Sequence, residues 1–318
     1  MPTLVESICE KENLPITSCS PVSGGQINQV FLINDSFILR IGGRADAFQR
    51  LSRETSILRL LAPLIPAPQV TAFNTFENYT YQIQTYLRGE KLYKVWTSFT
   101  PLEKDRLIQA LAAHLRKIHA IQYPTCGYPF DPLDQALSWP GYFDALFHRT
   151  LAEYESHRLP FPPELLEDVK DFYAQNKSLI ADRPASLIHC DLWPGNLLVH
   201  EGQISAFLDF EYAMAAPKEY ELVVMEQFCL YPNDYAEEGF EKFNVGDFAD
   251  YLQRLRRAYP ELFSVPHLRQ QLDLYHIEHG LRDFLEWGKD RARISPAARV
   301  HPVARVSNFL FAHGARLF

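Results

Sequence analysis

Basic residues are in the minority. The 318-residue chain carries 31 Lys and Arg against 39 Asp and Glu, a formal net charge of −8 at pH 7. It therefore lacks the basic face that a general nucleic-acid binder needs, and no nucleic-acid partner is expected. A local basic pocket for one phosphorylated ligand remains compatible with that balance. Long apolar runs are missing as well: nothing approaches the ~18 residues of a membrane span, so no membrane partner is expected. The five cysteines, Cys9, Cys19, Cys126, Cys190 and Cys229, are odd in number, scattered and free of any C-x-x-C pair. That is the usage of a reduced cytoplasm, not of a disulfide framework or a zinc site. The opening segment carries Glu6, Glu10 and Glu12, which fits neither a signal nor a transit peptide, and the expected location is cytoplasmic. Internal repeats and low-complexity tracts are absent. What is present is an ordinary globular composition, 47% hydrophobic and 22% charged, on a length that suits two lobes.

The chain changes character near residue 90. Before it, apolar runs at strand period alternate with turn residues: 16–21, 29–34, 36–41, 70–73 and 79–87 read as strands, and 45–61 as a helix ended by Pro63, Pro66 and Pro68. Arg88-Gly89-Glu90 reads as a hinge. Beyond it, helical patterns fit 101–121, 141–155, 163–179 and 268–287, with Leu107, Leu111, Leu115 and Ile118 forming one stripe. They are interrupted around 186–209 by a small hairpin. The expected fold class is α+β: a five-stranded antiparallel N-terminal lobe with one helix over 1–88, and a mainly helical C-terminal lobe over 89–318.

The interruption carries the chemistry. It reads His189-Cys190-Asp191-Leu192-Trp193-Pro194-Gly195-Asn196, with Asp209-Phe210-Glu211 after the next turn. H-x-D-x-x-x-x-N followed by Asp at a hairpin end is the catalytic-loop spacing of phosphoryl-transfer enzymes. In that arrangement the first Asp meets the attacking hydroxyl. The Asn amide oxygen and the later carboxylate hold Mg²⁺, because a hard cation takes oxygen ligands. The N-terminal lobe agrees. Ser23-Gly24-Gly25 lies between two strands, where backbone N–H groups can approach phosphates. Arg40 occupies the strand position of a phosphate-binding Lys, and Glu54 follows on the helix where its partner belongs. Arg presents a planar fork with a different reach from Lys. The position two residues after Asp191 is Trp193, where protein kinases carry Lys. The segment after Asp209 has no DFG glycine and no A-P-E. A protein substrate is disfavoured and a small hydroxylated molecule preferred.

The stretches "SGGQIN", "FILRIGG", "SRETSILRLL", "IPAPQV", "IHCDLWPGNLLV" and "ISAFLDFEYA" resemble, in order, the aminoglycoside phosphotransferase family, which includes choline, homoserine and fructosamine kinases. The resemblance covers roughly residues 15–225. It implies a two-lobed protein-kinase-like fold and an ATP- and Mg²⁺-dependent small-molecule kinase. By position it implies Asp191 as catalytic base, His189 as the brace of the loop, Asn196 and Asp209 as metal ligands, and Arg40 at the phosphate. Glu221 stands where many members have an Asp that holds the catalytic-loop backbone. "HCDLWPGN" is similar to fructosamine kinases, while "FILRI", "KEYELV" and the segment 259–281 are similar to hygromycin-type kinases.

An amino sugar or aminoglycoside-like compound is the leading acceptor. A metabolite such as a ketosamine, choline or homoserine is the alternative, and a catalytically weak nucleotide-binding protein a third reading. Glu278, Arg282, Asp283 and Glu286, with Trp139, Tyr142 and Asp144, are candidates to meet the acceptor. His114, His119, His276 and His279 lack ligand spacing and read as satisfied or surface histidines.

Overall fold

Two helices, not one, flank the N-terminal strands. Thr3 and Glu6 form a capping box, Glu6 N–H donating to the Thr3 hydroxyl at 3.3 Å and Thr3 N–H donating to the Glu6 carboxylate at 2.6 Å. That box starts α1 (Leu4–Lys11). The structure, a computed structural model, describes residues 3–22, 28–131, 134–157, 161–235, 243–244, 246–288 and 302–310. The chain folds into two compact units, Met1–Leu92 with Asn196–Ala213, and Tyr93–Gly195 with Met214–Phe318.

In the first unit, β1 (Cys19–Pro21), β2 (Gln29–Ile33), β3 (Phe37–Gly42), α2 (Ala47–Leu61), β4 (Val70–Phe76) and β5 (Tyr79–Thr85) follow α1. The strands form one antiparallel sheet in the order β1-β2-β3-β5-β4. Strand alternation divides their side chains between two faces. Ile33, Leu39, Ile41, Tyr81 and Ile83 pack on Ile8 and Cys9 of α1; burying one such aliphatic side chain stabilises by roughly 1.5–3 kcal/mol. Arg40 and its cross-strand partner Gln82 point the other way, to consecutive residues of α2. Gln82 Nε2 donates to the Thr55 hydroxyl at 2.9 Å, and Arg40 pairs with Glu54. A one-residue slip of register would turn Arg40 into the apolar face.

Residues 88–90 are more than a connector. Glu90–Lys91 form β6, and Gly89 (φ +154°) passes so close that a Cβ would lie 2.6 Å from the Ser205 hydroxyl. Later elements are α3 (Leu92–Val95), α4 (Pro101–His119), β7 (Gln122–Tyr123), β8 (Cys126–Gly127), β9 (Gln135–Ala136), α5 (Trp139–His157), α6 (Pro163–Asn176), β10 (Ala185–Ile188), β11 (Leu197–His200), β12 (Gln203–Phe207) and β13 (Met214–Ala216). The helices α7 (Leu222–Leu230), α8 (Pro232–Tyr235), α9 (Ala249–Ala258), α10 (Pro260–Phe263), α11 (Leu268–Gly288) and α12 (Pro302–Leu310) complete the described chain.

The helical unit starts on α4. Thr100 and Glu103 form a second capping box, Pro101 takes the first position, and Leu107, Leu111, Leu115 and Ile118 are buried. An aromatic core of Trp139, Phe143, Tyr220 and Tyr275 joins α5 to α11, with Trp139 Nε1 donating to the Tyr275 hydroxyl at 2.8 Å. The region expected to supply one hairpin supplies more strand. Beyond β11–β12, the short strands β7-β10-β13-β8-β9 make a sheet of their own. No helix among the described residues is long and apolar enough to cross a membrane.

Candidate active site

In the first unit, Glu201 and Gly202 both take positive φ, the two-residue turn that matches strand twist, and close the β11–β12 hairpin. At its open end Leu197 pairs with Phe207, and Leu208 N–H donates to the Asn196 carbonyl at 2.9 Å. Asn196 stands one residue before β11 and Asp209 two residues after β12, at the same end of the hairpin. Asp209 holds φ +63° without being glycine. Its Oδ1 is buried with no hydrogen-bond partner among the described residues, and lies 3.6 Å from an Arg40 nitrogen.

Arg40 links this end to the sheet. Its other nitrogen pairs with Glu54, which is 1% exposed. Burial alone would favour loss of the guanidinium proton, but Glu54 and Asp209 outweigh it and hold Arg40 charged. Beside it, Arg50 bonds Glu211 at 2.6 Å and the Tyr212 hydroxyl at 3.3 Å. Burial and the Asp209 charge push the Glu211 carboxyl up to about 7 against the pull of Arg50.

An orphaned carboxylate oxygen and a neighbouring Asn fit a hard divalent cation. Among the described residues no group of three His, Cys, Asp or Glu could hold a metal alone. That suits Mg²⁺, which usually takes one or two carboxylates together with phosphate oxygens and water.

In the helical unit, β10 is buried along its whole length and pairs with β13. It delivers His189, 0% exposed, to the start of the loop. Cys190 then turns at φ +67°. Glu221 holds this turn: its carboxylate accepts His189 N–H at 2.8 Å and Cys190 N–H at 3.1 Å. The added methylene relative to Asp is accommodated. His189 Nδ1 accepts Asp191 N–H at 3.3 Å, fixing the backbone of Asp191. Burial pushes the Cys190 thiol up to about 12, so it is no nucleophile at neutral pH. Trp193 packs among Tyr93, Phe228 and Tyr235 at ring separations of 5.4 to 5.5 Å. Its ring folds over Gly195, where a Cβ would fall 2.0 Å from it.

Several expected site residues are structural. Trp139 and Tyr142 are buried, and Tyr142 donates to Asp134 at 2.9 Å. Asp144 accepts from Tyr173 and Lys177. Glu278 is buried, accepting from Thr150 and from Arg282, which also donates to the Tyr220 hydroxyl at 3.1 Å. Asp283 faces His279 and Arg305, each at 3.5 Å. Nothing is described of the Glu286 side chain, and Ser23, Gly24 and Gly25 lie outside the described residues. Sequence reasoning missed the Arg50–Glu211 pair, whose only signal was the acid two residues after Asp209. It also missed that His119 backs Glu221, with Nε2 3.5 Å from the carboxylate.

The fold recurs in solved aminoglycoside phosphotransferases. A thermostable mutant of APH(4)-Ia, in ternary complex with AMP-PNP and hygromycin B, is 19% identical over 99% of this chain and 100% of that one, with TM-score 0.71. The gentamicin complex of APH(2")-IIa is 17% identical over 100% and 97% of the two chains, with TM-score 0.68. ADP-bound APH(2'')-Ib is 17% identical over 96% and 95%, with TM-score 0.67. No curated protein sequence matches significantly. The profile of the phosphotransferase enzyme family (APH) matches residues 18–262, most of the chain and all of the site above, and the chain belongs to that family.

Proposed function

We propose that the protein transfers the γ-phosphate of ATP to a hydroxyl of an amino sugar or aminoglycoside-like molecule. Asp191 accepts the proton as the hydroxyl oxygen bonds to the γ-phosphorus; the bond to the β–γ bridging oxygen breaks, and ADP leaves. His189 and Glu221 position Asp191 through the loop backbone. Arg40, oriented by Glu54, clamps the phosphates. Asn196 and Asp209 hold Mg²⁺, which supplies charge neutralisation on the triphosphate when bound.

The observation that carries this reading is the buried Asp209 oxygen, left without a donor beside Arg40 and Asn196. A cation bound there would satisfy it. The acceptor class is supported by the hygromycin B and gentamicin of the related complexes. A second reading, a ketosamine acceptor, draws on the half-buried Trp193 ring two residues from Asp191, a surface for a sugar face.

The test is Mg·ATP consumption with pooled aminoglycosides, ketosamines, choline, homoserine and simple sugars. Asp191→Asn should lower turnover by about 10²–10⁴-fold while ATP binding is kept. Turnover that survives the substitution sinks the mechanism, and the active pool decides between the two acceptors.

A further inference from the structure

The helical unit carries a concave site that the phosphotransfer reading does not use. Its volume is about 370 Å³, and Arg116, His119, Arg183, Lys218, Glu219 and Tyr259 are among its walls; no residue of the catalytic loop, 189–196, lines it. Three cations and one carboxylate line it, with a second carboxylate, Glu261, at the Arg116 edge, in a chain whose net charge is −8.

The carboxylate is already committed. Glu219, buried, pairs with Arg183, whose same nitrogen also donates to Gln271 at 3.1 Å. The rest of the Arg183 fork has no protein acceptor among the described residues. Arg116 sits in the last turn of α4, where a cation is favoured by the helix dipole, and it bonds the Ala258 carbonyl at 2.8 Å and Glu261 at 3.2 Å. Lys218 is held only by the more distant charge of Glu261 and by the Tyr259 ring. It makes no hydrogen bond or ion pair among the described residues, and its ammonium lies 5.5 Å from the Tyr259 ring centre, a ring that Arg116 approaches at 4.4 Å. Deeper in, His119 is 5% exposed; its Nδ1 lies 3.2 Å from the Tyr259 hydroxyl and its Nε2 faces the Glu221 carboxylate at 3.5 Å.

Two cations with unused donors, a third on the rim and a flat aromatic wall define the chemistry of an occupant. A phosphate group takes charge-assisted bonds from a Lys ammonium and an Arg fork together. The volume exceeds a bare ion, since one water occupies ~30 Å³ in the liquid, and leaves space for a small body against Tyr259. We propose that this cavity binds a small phosphomonoester, its phosphate held by Lys218 and Arg183 with Arg116 at the rim.

Phenyl phosphate is a suitable probe, titrated calorimetrically into the full chain at low ionic strength. Saturating AMP-PNP and Mg²⁺ keep the proposed nucleotide site filled. Arg183 should be left in place, because removing it would strand the buried Glu219; Lys218→Gln and the double variant Lys218→Gln/Arg116→Gln change only half-exposed or exposed groups. Binding should weaken at least about tenfold in the double variant, the loss of charged hydrogen bonds worth roughly 1.5 kcal/mol or more. Thermal unfolding of the ligand-free protein should stay within a few degrees of the parent. Inorganic phosphate should compete and benzoate should not. Equal affinity in parent and double variant, or equal competition by benzoate, overturns the proposal. A signal that AMP-PNP abolishes in the parent also overturns it. A Lys218-dependent signal is independent of the kinase reading, since it stands whether or not turnover is found.

Discussion

Cys190 and Asp209 both hold left-handed backbone conformations without being glycine, each costing about 1–3 kcal/mol. Cys190 follows β10 at the entrance to the loop and Asp209 follows β12 at the end of the hairpin, so the strain sits where side chains must be aimed. At Cys190 the compensation is visible: Glu221 fixes two consecutive N–H groups with one carboxylate. Glu221→Gln keeps the length but leaves only one acceptor oxygen, and its NH₂ group would face a backbone donor. The expected result is a fall in kcat of at least about tenfold with an unchanged KM for ATP, because the loop that aims Asp191 is disturbed while Arg40, Glu54 and Asp209 are untouched. A proportional rise in KM would move Glu221 out of this role. Arg40 is the residue where the family position and the physics part company with Lys: its fork meets Glu54 through one nitrogen and Asp209 through the other, a geometry that a single ammonium cannot duplicate.

At the scale of elements, α4 shows what a local signal is worth. Thr100 and Glu103 exchange hydrogen bonds across its first turn, and Thr100→Ala should cost about 1 kcal/mol, read as a lower urea midpoint at unchanged slope. A shift below a few tenths of a kcal/mol would mean that packing alone sets the helix start. The same helix was legible because its apolar stripe repeats over several turns, and the β11–β12 hairpin because Glu201-Gly202 marks its turn. The eight-residue α1 escaped notice although Thr3 and Glu6 spell the same capping box, since too few apolar positions follow to set a period. Strands of two residues, such as β7, β8 and β9, have no period to read. The order of Asp191, Asn196 and Asp209 was legible from spacing, and so was the Arg40–Glu54 pair. The Arg50–Glu211 pair was not, because its members lie far apart in the chain. Trp139 and Tyr142 illustrate the converse: an aromatic beside a helix start has the same sequence signature whether it meets a ligand or closes a core.

For the whole molecule, the buried charges of the helical unit set a direction for pH. Burial outweighs Asp283 and holds His279 at about 4, well below its ordinary 6.5. His276 is also lowered by burial, against the pull of Glu226. In return, His276 and Arg269 overcome burial and hold the Glu226 carboxyl at about 2. All three groups have depressed folded pKa values, so on acidification the unfolded chain takes up protons first. The histidine contribution is fully present above pH 6.5 and is lost as pH falls, for His279 toward 4; that of Glu226 is present above 4.5 and is lost toward 2. Glu211, raised to about 7, and Glu54, also raised by burial, act in the opposite direction, two carboxyls against the three lowered imidazoles of His114, His276 and His279. Stability should therefore fall between pH 7.5 and 5, each differential proton contributing at most about 1.4 kcal/mol per pH unit. Urea unfolding at pH 7.5, 6.5, 5.5 and 5 measures the slope. His279→Gln removes one titrating group while leaving Glu226 and Arg269 paired, and should flatten the slope by up to one proton. An identical slope in parent and variant would show that His279 titrates alike in the folded and unfolded chains.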